Sequence, residues 1–430
     1  QNPDNQKFSG LIAKIYKTAK KQQKQPTNQR QAQRAADIAV LQQSQIAKNA
    51  LENTTLFAHE EKSASAIIYR SVNSLRNCYI CQQQYCQIHS FYHRLCPACA
   101  EKNYQMRSLQ LDLSGRKVIL TGGRVKIGYA TALKLLRSGA EVTITTRFPA
   151  LALQQYQCEV DYEKWQDRLW IYGLDLRNLA AVNQFIADYK KRNSTLDILI
   201  NNAAQTIQYT DDYYMPLVQK EQNLLGQYAD NQLITANLTS VLKTLELPSA
   251  TTDFNELALN RFGQPVDLRS ENSWNTKLEN ISTYELLEVN LINHISPYLL
   301  IRELNPLLEK SSFASRFIIN VTSSEGQFSY GNKTAFHPHT NMTKAALNML
   351  TRTSAKDFAN RGIFMNSVDV GWVSTGANEE LRKRQFAKGY IPPLDSVDGA
   401  ARILHPIHEN LENKTNFVGQ LLKNYVAVDW

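Results

Sequence analysis

The chain has 430 residues, 43% of them apolar, enough for one large core or two to three smaller ones, so a globular protein is expected. No apolar run approaches the roughly 18 residues of a membrane span, and no secretory signal with a cleavage site opens the sequence. An intracellular, cytoplasmic location follows as an expectation, with organelle targeting left open. The formal net charge is +9, and residues 1–50 hold nine Lys/Arg against two Asp/Glu, so most of the excess sits in an N-terminal arm. Such an arm suits nucleic acid, acidic lipid or an acidic protein, and equally an ordinary solvated face.

Within the arm, Phe8, Leu11, Ile12, Ile15 and Tyr16 recur at helical spacing among lysines, which predicts a short amphipathic basic helix. The stretch KKQQKQPTNQRQAQR carries Pro26 and little to bury, and reads as a linker or frayed helix entry. From 35 to 72 a helical apolar pattern resumes through Ile38, Leu41, Ile46 and Leu51.

Two C-x2-C knuckles follow, Cys78/Cys81 and Cys96/Cys99, separated by 14 residues. Each gap lets a tight turn aim two thiolates at one ion, and two such turns complete a tetrahedral sulfur site for a structural zinc. A segment with little core can be folded by such a metal. Cys86, His89 and His93 lie inside the loop as reserve ligands or as loop and packing residues. Cys158 stands alone, and disulfides are not expected.

The run KVILTGGRVKIGYATALKLLRSGAEVTITTR, from Lys117, alternates strand, glycine turn, helix and strand, a βαβ unit. Gly122, Gly123 and Gly128 permit a tight turn, and the helix N-terminus behind it offers free amides and a positive dipole to a pyrophosphate. Arg147 ends the second strand where a dinucleotide's adenosine ribose would lie. With Arg124 in the turn, it suits a 2′-phosphate, hence NADP(H) rather than NAD(H). Further strand-like runs at RLWIYGLDL, LDILINNAA, RFIINVTSS and IFMNSVDVGW, separated by helical stretches, imply a mainly parallel sheet covered on both faces. Asp175, Asn201, Ala203, Ser323 and Gly371 fall at strand ends and predict one cleft.

From about Leu113 to Trp430 the chain resembles the short-chain dehydrogenase/reductase superfamily. The motifs stand in family order: Thr121 to Gly128, NNAA at 201–204, Asn290 in LEVNLINHISPYLL, Ser323 in NVTSSEG, Lys344 in TKAALNMLTR, and NSVDVGWVST. Together with the cysteine knuckles they resemble a zinc-motif-bearing branch of it. The resemblance implies an α/β, Rossmann-type doubly wound parallel sheet at 109–430, preceded by a basic helical arm at 1–77 and a zinc module at 78–108. It implies that Thr121, Gly122, Gly123, Arg124, Ile127 and Gly128 hold the pyrophosphate, and that Asp175 and Leu176 line the adenine. Asn201, Asn202 and Ala203 would line the middle of the nucleotide, and Gly371, Val373 and Thr375 the nicotinamide side. Asn290 would anchor a water relay, Ser323 would bind the substrate carbonyl, and Lys344 would bind the nicotinamide ribose. Family habit implies a dimer or tetramer acting on a small molecule.

Three departures stand out. Thr340 occupies the place of the proton-moving tyrosine, four residues before Lys344 on the same helix face, and an aliphatic hydroxyl is a far weaker acid than a phenol of pKa about 10. His337, Tyr330 or a water on Thr340 could take over the proton, whereas His339 is rotated roughly 100° away on the helix. Lys126 stands where the turn usually has another glycine. Between Asn202 and Asn290 lie 87 residues, which implies an insertion around 205–280 acting as lid, binding surface or oligomer contact. The expected function is NADP(H)-dependent oxidation or reduction of a carbonyl/alcohol pair. The rival is a non-catalytic dinucleotide-binding sensor or scaffold whose zinc module, arm and insertion bind a protein or nucleic acid.

Overall fold

The computed structural model describes residues 3–51, 67–209, 211–227, 233–234, 260, 263–269, 271–331 and 333–430. Much of the expected insertion therefore lies outside the described residues. The chain divides into two compact units, a smaller one of Gln1–Glu52, Ala64–Lys102 and Gln385–Pro393 and a larger one of Asn53–Ser63, Asn103–Arg384 and Leu394–Trp430.

In the smaller unit, helix α1 runs unbroken over Pro3–Gln42, and α2 covers Gln45–Leu51. The expected linker is helical instead, because Gln, Lys, Arg and Ala are good helix formers and outweigh the single Pro26. Phe8, Leu11, Ile12, Ile15 and Tyr16 are all exposed on α1. The helical reading of 35–72 ends too late, since Tyr69–Asn77 forms strand β1, paired antiparallel with β2, Gln84–His89. Asp37 of α1 ties to the hairpin by accepting from the Asn73 and Ser74 amides. Helix α3, Pro97–Arg107, begins between Cys96 and Cys99.

Among the described residues the larger unit holds a nine-stranded sheet in the order β11-β10-β9-β8-β6-β3-β4-β5-β7. Its strands are β3 (Lys117–Thr121), β4 (Glu141–Thr146), β5 (Leu169–Gly173), β6 (Ile198–Asn201), β7 (Leu233–Ile234), β8 (Arg316–Thr322), β9 (Ile363–Asp369), β10 (Leu421–Lys423) and β11 (Val426–Val428). All neighbours are parallel except β10 with β11. Its helices, in chain order, are α4 (Lys126–Arg137), α5 (Pro149–Gln157), α6 (Leu179–Arg192), α7 (Asp211–Leu225), α8 (Thr283–Asn290), α9 (Ser296–Glu309), α10 (Pro338–Ala359), α11 (Glu379–Ala387) and α12 (Ser396–Leu411).

The fully apolar strands follow from burial on both faces. Along β3, Val118 and Leu120 enter a core with Leu133 and Leu136 of α4 and Ile403 and Ile407 of α12. Ile119 between them enters the other core, with Phe185 of α6, Leu300 and Leu304 of α9 and Ala355 of α10. The chain winds outward from β3 through β4 and β5, then returns through β6, β8 and β9. The crevice between β3 and β6, outside their carboxyl ends, is where such sheets take ligands. Among the described residues no helix is long and apolar enough to cross a membrane.

Candidate active site

The turn after β3 is shaped by what a side chain would strike. Gly122 has φ +72° and its amide donates to the Thr145 carbonyl. A Cβ on Gly128 would lie 1.9 Å from the Gly122 carbonyl oxygen, and one on Gly123 would lie 2.6 Å from Ile144. Lys126, in place of the usual glycine, keeps the turn's geometry by taking φ +54°, a left-handed conformation that costs roughly 1–2 kcal/mol for a residue with a Cβ. Thr121 Oγ accepts from the Asn202 and Ala203 amides at 3.0 Å, and Asn202 Nδ2 donates to the carbonyls of Thr121 and Gly122. Thr121 and Asn202 therefore clamp the turn to the end of β6. Tyr156 adds a 2.6 Å bond to the Gly123 carbonyl from α5.

Arg124 and Arg147 come together beside this turn. Arg124 is buried over the Phe148 ring, and both burial and the neighbouring Arg147 push it down to about 10. Arg147 lies over the Tyr214 ring at 4.4 Å and donates to its hydroxyl at 3.1 Å. The carboxylates that act on the two arginines are engaged elsewhere. Glu221 accepts from the Ala150 and Leu151 amides that open α5, and burial pushes it up to about 7. Asp175, at the end of β5, is gripped through both oxygens by Arg177. Burial works against its charge, but Arg177 wins and holds it below the ordinary carboxylate range. Arg177 also pairs with Glu288, which accepts from Gln205 and Gln208. The neighbouring Leu176 is buried, and its carbonyl accepts from Ser296.

Ser323 follows β8 in an extended conformation, and the turn behind it is pinned to α10, since Asn348 donates to the Gly326 carbonyl and a Cβ on Gly326 would lie 2.6 Å from the Lys344 backbone. Lys344 is buried, donates to the Val321 carbonyl at 2.9 Å, and is pushed down to about 8 by burial, against the pull of Glu325 and Asp369. One turn earlier Thr340 is buried, and its hydroxyl has no hydrogen-bond partner among the described residues. Asn290 ends α8 where the helix widens into a π segment, Leu291–Ile295. Its carbonyl is 2.9 Å from His294 Nδ1, and its side chain donates to Leu286. Gly371 takes φ +79°, its amide bonded to Asp369, while Val373 is buried and Thr375 Oγ accepts from the Ala377 amide.

Of the three side chains near Thr340 in sequence, His337 and His339 have partners on a ring nitrogen, and Tyr330 meets a cation on its ring face. His337, left-handed at φ 42°, donates to the Trp274 carbonyl and stacks on that ring at 4.4 Å. His339 is buried 3.0 Å from Glu285, in keeping with its rotation off the Thr340 face. Tyr330 carries Lys423 over its ring. Two features escape sequence reasoning. Asn293 is buried, bonding to the Gln205 backbone twice and to Thr343; its only signal in the sequence is a second amide, three residues after Asn290. Trp274 packs against both His337 and Gly376, where a Cβ would lie 2.7 Å from the indole.

In the smaller unit, the sulfurs of Cys78, Cys81, Cys96 and Cys99 all lie within 4.8 Å of one another, with Cys81 and Cys96 at 3.6 Å. Four sulfurs at about 2.3 Å from one ion would stand about 3.8 Å apart, so the set fits tetrahedral zinc. The reserve residues are not part of the group: His89 Nδ1 accepts from the Phe91 amide, His93 Nε2 meets the Ile391 carbonyl, and Cys86 is exposed.

Residues 116–251 match the short chain dehydrogenase family and 270–391 the enoyl-(acyl carrier protein) reductase family. The uncharacterized protein R665 of Acanthamoeba polyphaga mimivirus is 33% identical over 349 residues, 78% of this chain and 72% of that one. The chain belongs to the short-chain dehydrogenase/reductase superfamily. That superfamily is one of NAD(P)-dependent oxidoreductases, and the larger unit is its Rossmann domain. Mouse retinol dehydrogenase 14 is 30% identical over 176 residues, 38% of this chain, which spans about half of that relative's length (51%). Two solved structures are also similar: the Pseudomonas aeruginosa RhlG/NADP active-site complex, with TM-score 0.48 and 20% identity over 73% of this chain and 95% of that one, and NADPH-bound carbonyl reductase from chicken fatty liver, with TM-score 0.46 and 21% identity over 75% and 100%.

Proposed function

We propose that this short-chain oxidoreductase uses NADP(H) to interconvert a carbonyl and an alcohol on a small molecule, with Thr340 standing where the superfamily keeps its acid. The observation that carries the cofactor choice is the pair of buried Arg124 and half-buried Arg147 beside the glycine turn, whose neighbouring carboxylates are engaged elsewhere. Two such guanidinium groups suit a phosphate dianion and would gain little from a neutral ribose hydroxyl. Gly122 to Gly128 and the α4 N-terminus would receive the pyrophosphate, Asn201, Asn202 and Ala203 the central part, Asp175 and Leu176 the adenine edge, and Gly371, Val373 and Thr375 the nicotinamide side. The bound nicotinamide supplies or accepts the hydride. Ser323 orients the substrate oxygen. Lys344, which burial pushes down to about 8, and the Asn290 carbonyl at the π segment organise proton delivery, and Thr340 passes it through a water. Cys78, Cys81, Cys96 and Cys99 hold a structural zinc in the smaller unit.

A second reading is favoured by Thr340 itself. Its unpaired aliphatic hydroxyl is no substitute for a phenol on acidity, so the domain would serve as a dinucleotide-binding sensor, and the exposed apolar face of basic helix α1 would meet a protein or nucleic-acid partner. Titration with NADPH and NADH, zinc analysis on the same sample, and NADPH oxidation against a carbonyl panel decide between them. NADPH binding that Arg147→Ala weakens, with turnover, supports the oxidoreductase. Binding without turnover supports the sensor. Binding of neither nucleotide overturns both.

A further inference from the structure

The segment inserted after β6 supplies a helix, and that helix takes hold of the cofactor-selecting arginine. Helix α7 packs through Leu217, Val218 and Leu224 against Phe148, Ala150 and Leu151, the residues that open α5 behind the end of β4. It carries two polar groups into the same place. Glu221, fully buried, satisfies the first free amides of α5 in the manner of a cap, so the helix end next to Arg147 is already occupied by a carboxylate. Tyr214 meets Arg147 twice, with its ring face under the guanidinium and its hydroxyl as acceptor. Tyr214 in turn lies edge-on to Tyr213 and Tyr209, which stack on each other at 3.8 Å, so its position is set by an aromatic wall.

An arginine on the surface explores many rotamers and loses that freedom when it binds phosphate; one already braced in place loses less. We propose that Tyr214 is a positioning residue that selects NADP(H) over NAD(H), by holding the Arg147 guanidinium in the place where the 2′-phosphate arrives. The inference rests on the dinucleotide reading above and adds to it a selecting role for a helix that the domain gains by insertion. Because NAD(H) has no 2′-phosphate, the brace acts on one nucleotide and not the other. That asymmetry separates a positioning role from general support of the fold, which would weaken both.

The test is titration of NADPH and NADH, followed by nicotinamide fluorescence, on the full chain and on Tyr214→Phe, Tyr214→Ala and Arg147→Ala. Tyr214→Phe keeps the ring and loses the acceptor, and it guards against a Tyr214→Ala variant that fails to fold. The expected result is that the NADPH/NADH affinity ratio falls about threefold in Tyr214→Phe and about tenfold in Tyr214→Ala, approaching that of Arg147→Ala, while NADH affinity holds. A Tyr214→Phe ratio equal to wild type, together with a Tyr214→Ala variant that is unchanged, that weakens both nucleotides alike or that does not fold, overturns the proposal and leaves the dinucleotide reading standing. Failure of the unmodified chain to bind either nucleotide removes that reading, and the selecting role with it.

Discussion

The glycine turn and the start of α10 lie in one domain and are built on opposite terms. Around the turn, polar groups are spent on holding shape: Thr121, Asn202 and Tyr156 all bond to or across its backbone. Around α10, buried polar atoms are left over. The hydroxyls of Thr340 and Thr322, one nitrogen of His339 and the Asn348 carbonyl oxygen have no hydrogen-bond partner among the described residues. Each such atom costs roughly 1–3 kcal/mol unless something else satisfies it. The first region is a finished mould that accepts one backbone path. The second retains polar capacity at the place where a reacting oxygen and its proton would be handled.

The contrast breaks most severely at the mould. Gly128→Ala places a methyl group 1.9 Å from a carbonyl oxygen and is expected to abolish nucleotide binding, a loss of at least about two orders of magnitude in affinity, read by NADPH titration with circular dichroism as the fold control. Metal removal is next and concerns the smaller unit. Chelation, or Cys96→Ser, is expected to release one zinc per chain and open residues 67–102 to protease, because the binding energy of such a site is folding energy; protection unchanged after complete zinc loss would refute it. At α10 the change is gentler. Thr340→Tyr restores a phenol one turn from Lys344 and is expected to raise NADPH oxidation on a carbonyl panel about tenfold or more, while Thr340→Val stays near or below wild type.

A further effect lies at Glu221, buried against the start of α5. Its pKa in the fold is raised from 4.5 to about 7, so its contribution to stability is present below about pH 4.5 and is lost as pH rises through 7. Glu221→Gln should flatten the melting temperature over pH 5–8, by an amount worth of order 1–3 kcal/mol. A wild-type melting temperature already flat across that window would show that the carboxylate titrates at its ordinary value.

What could be read in advance divides along physical lines. The strands of the Rossmann domain were legible because burial on both faces writes continuous apolar runs, as at Lys117–Thr121 and Arg316–Thr322. The cysteine set was legible because two thiolates per turn demand a fixed short spacing. The extent of α1 was not, because a proline and a polar run mark a break in sequence that the helix formers around Pro26 override. Neither were Tyr214 on Arg147, Glu221 on α5, Arg177 between Asp175 and Glu288, or Trp274 on His337. Apart from the adjacent Asp175, those partners lie some 60 to 110 residues apart, and no periodicity records a contact at that range.

One buried row has a consequence for how the domain assembles. Asn201 of β6 donates to Asn320 of β8, Asn320 donates to Thr351 of α10, and Ser367 of β9 closes on the same threonine. Asn201 lies opposite Asn320, and Asn320 opposite Ser367, across three adjacent parallel strands. Parallel strands have no hairpin turn to align them. A slip of one residue would turn these amides to the other face and strand them in hydrocarbon, so the row serves as a proofreading mark that admits a single alignment during folding.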